Sequence, residues 1–181
     1  MKRIELYDIE KIEENKFSID YFIETRGVIR LNEAIEVLHN FRITKNIENI
    51  MQVDKINREL EKIVFDYLGL LEDYFKVIVI KDIDKDKISD FKNYGIKKIM
   101  SIIIYQGNKD ELIKETDLLV IEKLKNKVIK HQNLINYETF EQIKCLYKLL
   151  PINYKNQFVE EIKKTKIKPL LEGLLLITWY R

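Results

Sequence analysis

Two imidazoles, His39 and His131, are the only side chains in this sequence that ordinarily change charge close to neutral pH. His131 closes the run Lys123-Leu124-Lys125-Asn126-Lys127-Val128-Ile129-Lys130-His131, in which four lysines and a histidine fall within nine residues and Glu122 is the adjacent acid. Dense positive charge beside a titratable ring suits cleavage of an RNA phosphodiester. The imidazole takes the 2′-hydroxyl proton or protonates the leaving oxygen, and a nearby cation stabilises charge growing on the phosphate oxygens. That route calls for no metal and no other cofactor. A plainer reading stands beside it, because lysines at a helix end also meet the negative end of the helix dipole. His39, in Val37-Leu38-His39-Asn40-Phe41-Arg42-Ile43, sits near a helix end where a histidine commonly bonds a carbonyl. Arg42 is either a phosphate contact or a charge at that terminus.

Other chemistry is largely excluded. The sequence has no G-x-S-x-G, no glycine-rich phosphate loop, no C-x-x-C and no H-E-x-x-H. One cysteine, Cys145, cannot form an internal disulfide, and one cysteine with two histidines makes a Cys/His zinc site untenable. Flanked by Ile143 and Leu146, Cys145 reads as a buried thiol. Glu72 and Lys76 stand four apart, the spacing of a helix salt bridge, and beside the basic segment they could orient catalytic groups. Tyr67, Tyr74 and Phe75 recur at helical spacing and read as core, not as base-stacking platforms.

The elements that must position these groups read as helices. The 181 residues, with 32 Lys+Arg, 30 Asp+Glu and 46% hydrophobic residues, are enough for one folded domain with a substantial core. Five glycines and two prolines leave few sharp turns and disfavour a barrel or sandwich of short strands. From Val53 to Ile80, Val53, Ile56, Leu60, Ile63, Val64, Tyr67, Leu71, Tyr74, Phe75 and Ile78 recur at steps of three and four, which predicts one long helix. Glu59, Glu61, Lys62, Asp66 and Glu72 fall mostly off that stripe. Ser18 predicts a short helix stopping at Gly27, although the alternation Phe17, Ile19, Tyr21, Ile23 equally permits a strand. Asn32 is an expected N-cap for a helix running towards Phe41. Asp82 to Asp86 reads as a solvated turn. Helices are expected from about Ser89 to Gln106, from near Asp110 through Val128, and from Thr139 to Leu150, with a turn at Gly107 to Asp110 and a strand alternative for Ile102 to Tyr105. Pro151 ends the last of these and Asn153 caps its successor. The apolar segment 165–181 closes the core. Met1 to Glu10 holds no run that could act as a signal peptide, and no stretch reaches the ~20 apolar residues of a membrane span. The expectation is a cytoplasmic, all-α protein of a single helical domain over residues 1–181, with no membrane partner.

Several short motifs resemble a known family. Arg26-Gly27-Val28-Ile29, then Glu33-Ala34-Ile35-Glu36-Val37-Leu38 and Phe41-Arg42-Ile43, resemble the N-terminal signature of abortive infection (Abi-like, AbiD/AbiF type) proteins. Glu72-x-x-x-Lys76 resembles that family's Glu-x-x-x-Arg element on its central helix. Leu124 to His131 resembles the Leu-Arg-Asn-x-x-x-His-His segment shared with HEPN ribonucleases, and Leu149-Leu150-Pro151 with Tyr154 and Phe158 resembles the helix pair that follows. The matches run in order over residues 18–164. The resemblance implies a HEPN-like helical bundle with a long central helix, a homodimer or partner complex, and metal-independent RNA cleavage in phage defence or a toxin–antitoxin system. It places His131, Lys125 and Asn126 in the catalytic motif, with Lys123, Lys127, Lys130 and Arg42 as RNA contacts and Glu72 and Lys76 in support.

Two departures bear on activity. Lys125 stands where the family has arginine and loses the planar fork that grips phosphate bidentately. Lys130 stands where the first histidine would be. On an undistorted helix Lys125 and His131 differ by about 600°, which is ~120° short of two turns, so they face different ways. Either the helix ends or distorts near Lys130, or Lys127 is the working cation, or the site is degenerate. The leading expectation is an RNase of this kind or a derivative of one. Its rival is a non-catalytic module of the same fold that binds RNA or a protein, including an inhibitor or immunity role.

Overall fold

The computed structural model describes residues 16–80, 93–105 and 113–179, which form eight helices and no strand. They are α1 (Lys16–Arg26), α2 (Val28–Asn40), α3 (Ile47–Ile80), α4 (Ile96–Tyr105), α5 (Glu115–Ile129), α6 (Tyr137–Leu149), α7 (Ile152–Thr165) and α8 (Lys168–Trp179). The expected turns at Asp82 to Asp86 and Gly107 to Asp110, the helix starts at Ser89 and Asp110, and the reading of Met1 to Glu10 lie outside the described residues. The chain falls into two compact units, Met1–Glu59 and Leu60–Arg181. Their boundary is not a linker but a point inside α3, which is why no shift in composition marks it. Among the described residues no helix is long and apolar enough to cross a membrane.

In the first unit, α1 packs on α2. The alternation that also allowed a strand resolves as helix: Ile19 and Phe22, three apart, are buried, while Tyr21 between them is exposed. Gly27 separates the two helices with φ 85°, a value glycine adopts without a Cβ penalty. The hydrogen-bond ladder is barely interrupted there, since Gly27 N donates to Ile23 O (2.8 Å) and Gly27 O accepts from Leu31 N (3.3 Å). The second helix therefore restarts at Val28, and Asn32, expected as its cap, lies inside it. The long helix also begins earlier than its apolar stripe suggested, at Ile47, because the Asn46 side chain accepts from Asn49 N at 2.8 Å and caps the extra turns.

In the second unit, the rest of α3 buries Leu60, Val64, Tyr67, Leu71 and Phe75. Tyr67 meets Phe158 of α7 edge-on at 4.7 Å between centroids. Its phenol donates to Glu161 at 3.3 Å, and burial together with that carboxylate pushes its pKa up to about 12. The expectation that Tyr67 and Phe75 are core holds, and Tyr74 is half-buried. Around this stripe α5 packs against both α4 and α6, and α8 against α6 and α7. Asn136 caps α6 by accepting from Thr139 N at 2.8 Å, so the helix begins at Tyr137, two residues ahead of the expected start. Pro151 ends the α6 path as expected, but it also occupies the N-cap position of α7, so Asn153 lies in the first turn instead of capping it. Leu170 and Leu174 of α8 are fully buried in this core. Each such side chain contributes about 1.5–3 kcal/mol relative to exposure.

Candidate functional site

The basic segment is the C-terminal half of α5. The helix opens with Lys114 N donating to Asp117 Oδ2 at 2.9 Å, and Glu115 and Asp117 favour the positive end of its dipole. It closes at Ile129, with Lys130 as C-cap. His131 N donates to Val128 O (3.0 Å) and Gln132 N to Lys127 O (2.9 Å), the paired bonds of a Schellman ending. His131 thus fills the position just past the cap, in a left-handed conformation with φ 50°. Arg42 fills the same position at the end of α2, with φ 56°, Arg42 N on His39 O (3.1 Å) and Ile43 N on Leu38 O (2.8 Å). Of the three possibilities left open, the helix ends near Lys130.

That ending does not bring Lys125 to His131. Lys125 Nζ lies 3.3 Å from Glu72 Oε2, and the same oxygen accepts from Ile96 N, the first amide of α4, at 3.0 Å. Glu72 Oε1 accepts from Lys76 Nζ at 2.9 Å, the predicted i,i+4 pair. One carboxylate therefore ties α3, α4 and α5 together. Burial pushes the Glu72 carboxyl up, but the hydrogen bond from Lys76 and the charges of Lys125 and Lys76 outweigh it and hold the group below its ordinary value. Lys127 points elsewhere, donating to Thr139 Oγ1 at 2.9 Å and pairing with Glu138 at 3.5 Å.

His131 has a different carboxylate. Its Nδ1 lies 3.2 Å from Glu61 Oε2, and the side chains are 75% and 10% exposed respectively. With the proton on Nδ1 the ring donates to Glu61, and Nε2 is left as the acceptor. Glu61 was expected off the apolar stripe of α3, yet it is buried on it. The missed signal is its register: Asn57, Glu61 and Val64 continue the steps of four and three. Glu61 and Glu72 are eleven residues apart on α3, which puts them on nearly the same face but about 16 Å apart along its axis. Lys125 and His131 are thus held by two carboxylates three turns apart.

The remaining basic-segment residues form a third group. Lys123, Asn126 and Lys130 are all exposed and lie three and four residues apart, so they make one outward stripe ending beside His131. Lys123 also borders a cleft of about 490 Å³ between α5 and α6, lined among others by Asp117, Gln142 and Cys145. There the Cys145 thiol donates to Asp117 Oδ1 at 3.5 Å, and burial followed by that carboxylate pushes it up to about 12. The thiol is half-buried on the wall of this cleft, not fully buried as its apolar neighbours suggested, and its raised pKa disfavours the reactive thiolate. His39 is exposed on α2, and among the described residues its ring has no hydrogen bond. Among the described residues no group of three or more His, Cys, Asp or Glu side chains converges to hold a metal ion.

Comparison with protein-family models, with curated proteins and with solved structures finds no match to this chain.

Proposed function

We propose that the chain is a HEPN-like, metal-independent endoribonuclease, or a derivative of one, acting in phage defence or a toxin–antitoxin system. The observation that carries this reading is the exposed imidazole of His131 held by the buried Glu61 carboxylate. A ring fixed at Nδ1 presents Nε2 to solvent in a defined direction, as a general base requires. In the reaction Nε2 takes the proton of a ribose 2′-hydroxyl, and the 2′-oxygen attacks the adjacent phosphorus. The bond to the 5′-oxygen breaks, that oxygen recovers a proton from the imidazolium, and a 2′,3′-cyclic phosphate remains. Lys123, Asn126 and Lys130 form the face along which the strand lies, and Lys130 is the cation next in sequence to the ring. The Abi-like motifs and their order support the same reading.

A second reading has its own observation. Lys125, which occupies the position of the family's arginine, is engaged by Glu72, about three helical turns along α3 from the Glu61 carboxylate that holds His131. This favours a non-catalytic module of the same fold that binds RNA or a protein partner. Incubation of the purified chain with single-stranded RNA in EDTA separates the two. Fragments ending in 2′,3′-cyclic phosphate support the nuclease. Salt-sensitive binding without any product supports the binding module, and binding that ignores both salt and RNA indicates a protein partner. A groove completed by a second copy predicts a homodimer, which sedimentation at micromolar concentration would register against the 21.9 kDa of one chain.

A further inference from the structure

The first unit contains a charge arrangement that the basic segment does not explain. Asp54 is buried on α3, with its side chain 4% exposed, and its Oδ2 faces two arginines. Arg58, one turn along, places Nε 3.1 Å away, and Arg26, the last residue of α1, places Nε 3.7 Å away. Both guanidinium side chains remain open to solvent, at 43% and 45% exposure. An ordinary i,i+4 pair would balance Asp54 with Arg58 alone. Here a second arginine from another helix converges on the same oxygen, so two positive charges share one negative charge. The other carboxylate oxygen is buried without a hydrogen-bond partner among the described residues.

We infer that Arg26 and Arg58, set in place by Asp54, form a clamp for the phosphate of an RNA strand. Each arginine makes its closest approach to Asp54 through Nε. The terminal amino groups of both forks therefore lie farther from that carboxylate and are available to a second anion. Two forks anchored on one buried carboxylate lose little freedom when they close on a phosphate, and each can donate in the paired geometry that guanidinium offers to phosphate oxygens. The surplus positive charge is met by the ligand. Recognition of a phosphate stands on this geometry alone; that the phosphate belongs to RNA rests on the reading proposed above.

The test uses the full chain, a 12-nucleotide single-stranded oligouridylate, and inorganic phosphate as a separate probe. Arg26→Gln and Arg58→Gln each weaken RNA binding about tenfold, the loss of one charge-assisted interaction. Each also lowers the slope of log affinity against log salt by about 0.7. Asp54→Asn is the diagnostic variant. It adds a net positive charge, so a diffuse basic surface would bind RNA more tightly, whereas the clamp loses its anchor and binds more weakly. Arg58→Lys, which keeps the charge and does not empty a buried site, serves if Asp54→Asn fails to fold; the clamp predicts weaker binding and a plain charge effect predicts none. RNA binding that is unchanged by both arginine-to-glutamine variants overturns the clamp and leaves the RNA reading intact. No RNA binding by the wild type, with inorganic phosphate still shifting the Arg58 Nε resonance in the wild type and not in Asp54→Asn, overturns the RNA reading and supports the clamp as a site for free phosphate. No response to either probe overturns both.

Discussion

His131 stands where a helix end ordinarily places glycine. A left-handed φ of 50° costs a residue with a Cβ roughly 1 kcal/mol, so the imidazole is held there against a local preference. Glycine at this position keeps the Schellman bonds without that cost. His131→Gly is therefore expected to be about 1 kcal/mol more stable than His131→Ala in urea denaturation, with both lacking RNA cleavage. Equal stabilities would mean that the backbone there relaxes on substitution. Cys145 gives a second prediction at this scale. Its thiol, pushed up to about 12 by burial and Asp117, is almost wholly protonated at pH 8. Iodoacetamide should therefore label the native chain much more slowly than unfolded protein at pH 8, and equal rates would contradict the raised pKa. Because the folded value lies above the ordinary 9.0, the stabilisation it reflects is complete below pH 9 and is lost as pH rises towards 12.

Among the elements, the junction of α3, α4 and α5 turns on Glu72. Glu72→Gln leaves Lys76 and Lys125 without their shared anion and weakens the acceptor at Ile96 N, a loss of about 1–2 kcal/mol. Its carboxyl is held below the ordinary 4.5, so the stabilisation is complete above that value and is lost as pH falls through the lowered one. Wild type and Glu72→Gln should therefore differ in melting temperature at pH 7 and converge in strong acid; a constant gap at all pH values would contradict this. The same junction marks what the sequence made legible. The period of apolar residues along α3 and the Glu72-x-x-x-Lys76 spacing were readable because both are local. So was the basic run ending at His131. The partners of that run were not, since Glu61 and Glu72 reach it across 70 and 53 residues of chain. Nor could spacing alone show that Asn46, outside the apolar stripe, starts α3 six residues early. The splitting of Lys123, Lys125 and Lys127 among solvent, Glu72 and Thr139 follows from which helices flank α5, a tertiary fact.

For the whole molecule, a net charge of +2 conceals an uneven distribution, with Lys123 and Lys130 exposed on and at the end of α5 and two arginines sharing one buried aspartate. Affinity for RNA at these places should fall steeply with salt even though the chain is nearly neutral overall. The proposed function requires acid–base chemistry by the ring that Glu61 holds. The most direct measurement is single-turnover cutting of end-labelled single-stranded RNA in EDTA by wild type, Glu61→Gln and His131→Ala. The expected result is 2′,3′-cyclic ends from the wild type, cutting slowed about 10- to 100-fold in Glu61→Gln as the ring loses its orientation, and no product from His131→Ala. Cutting by His131→Ala at the wild-type rate would contradict it.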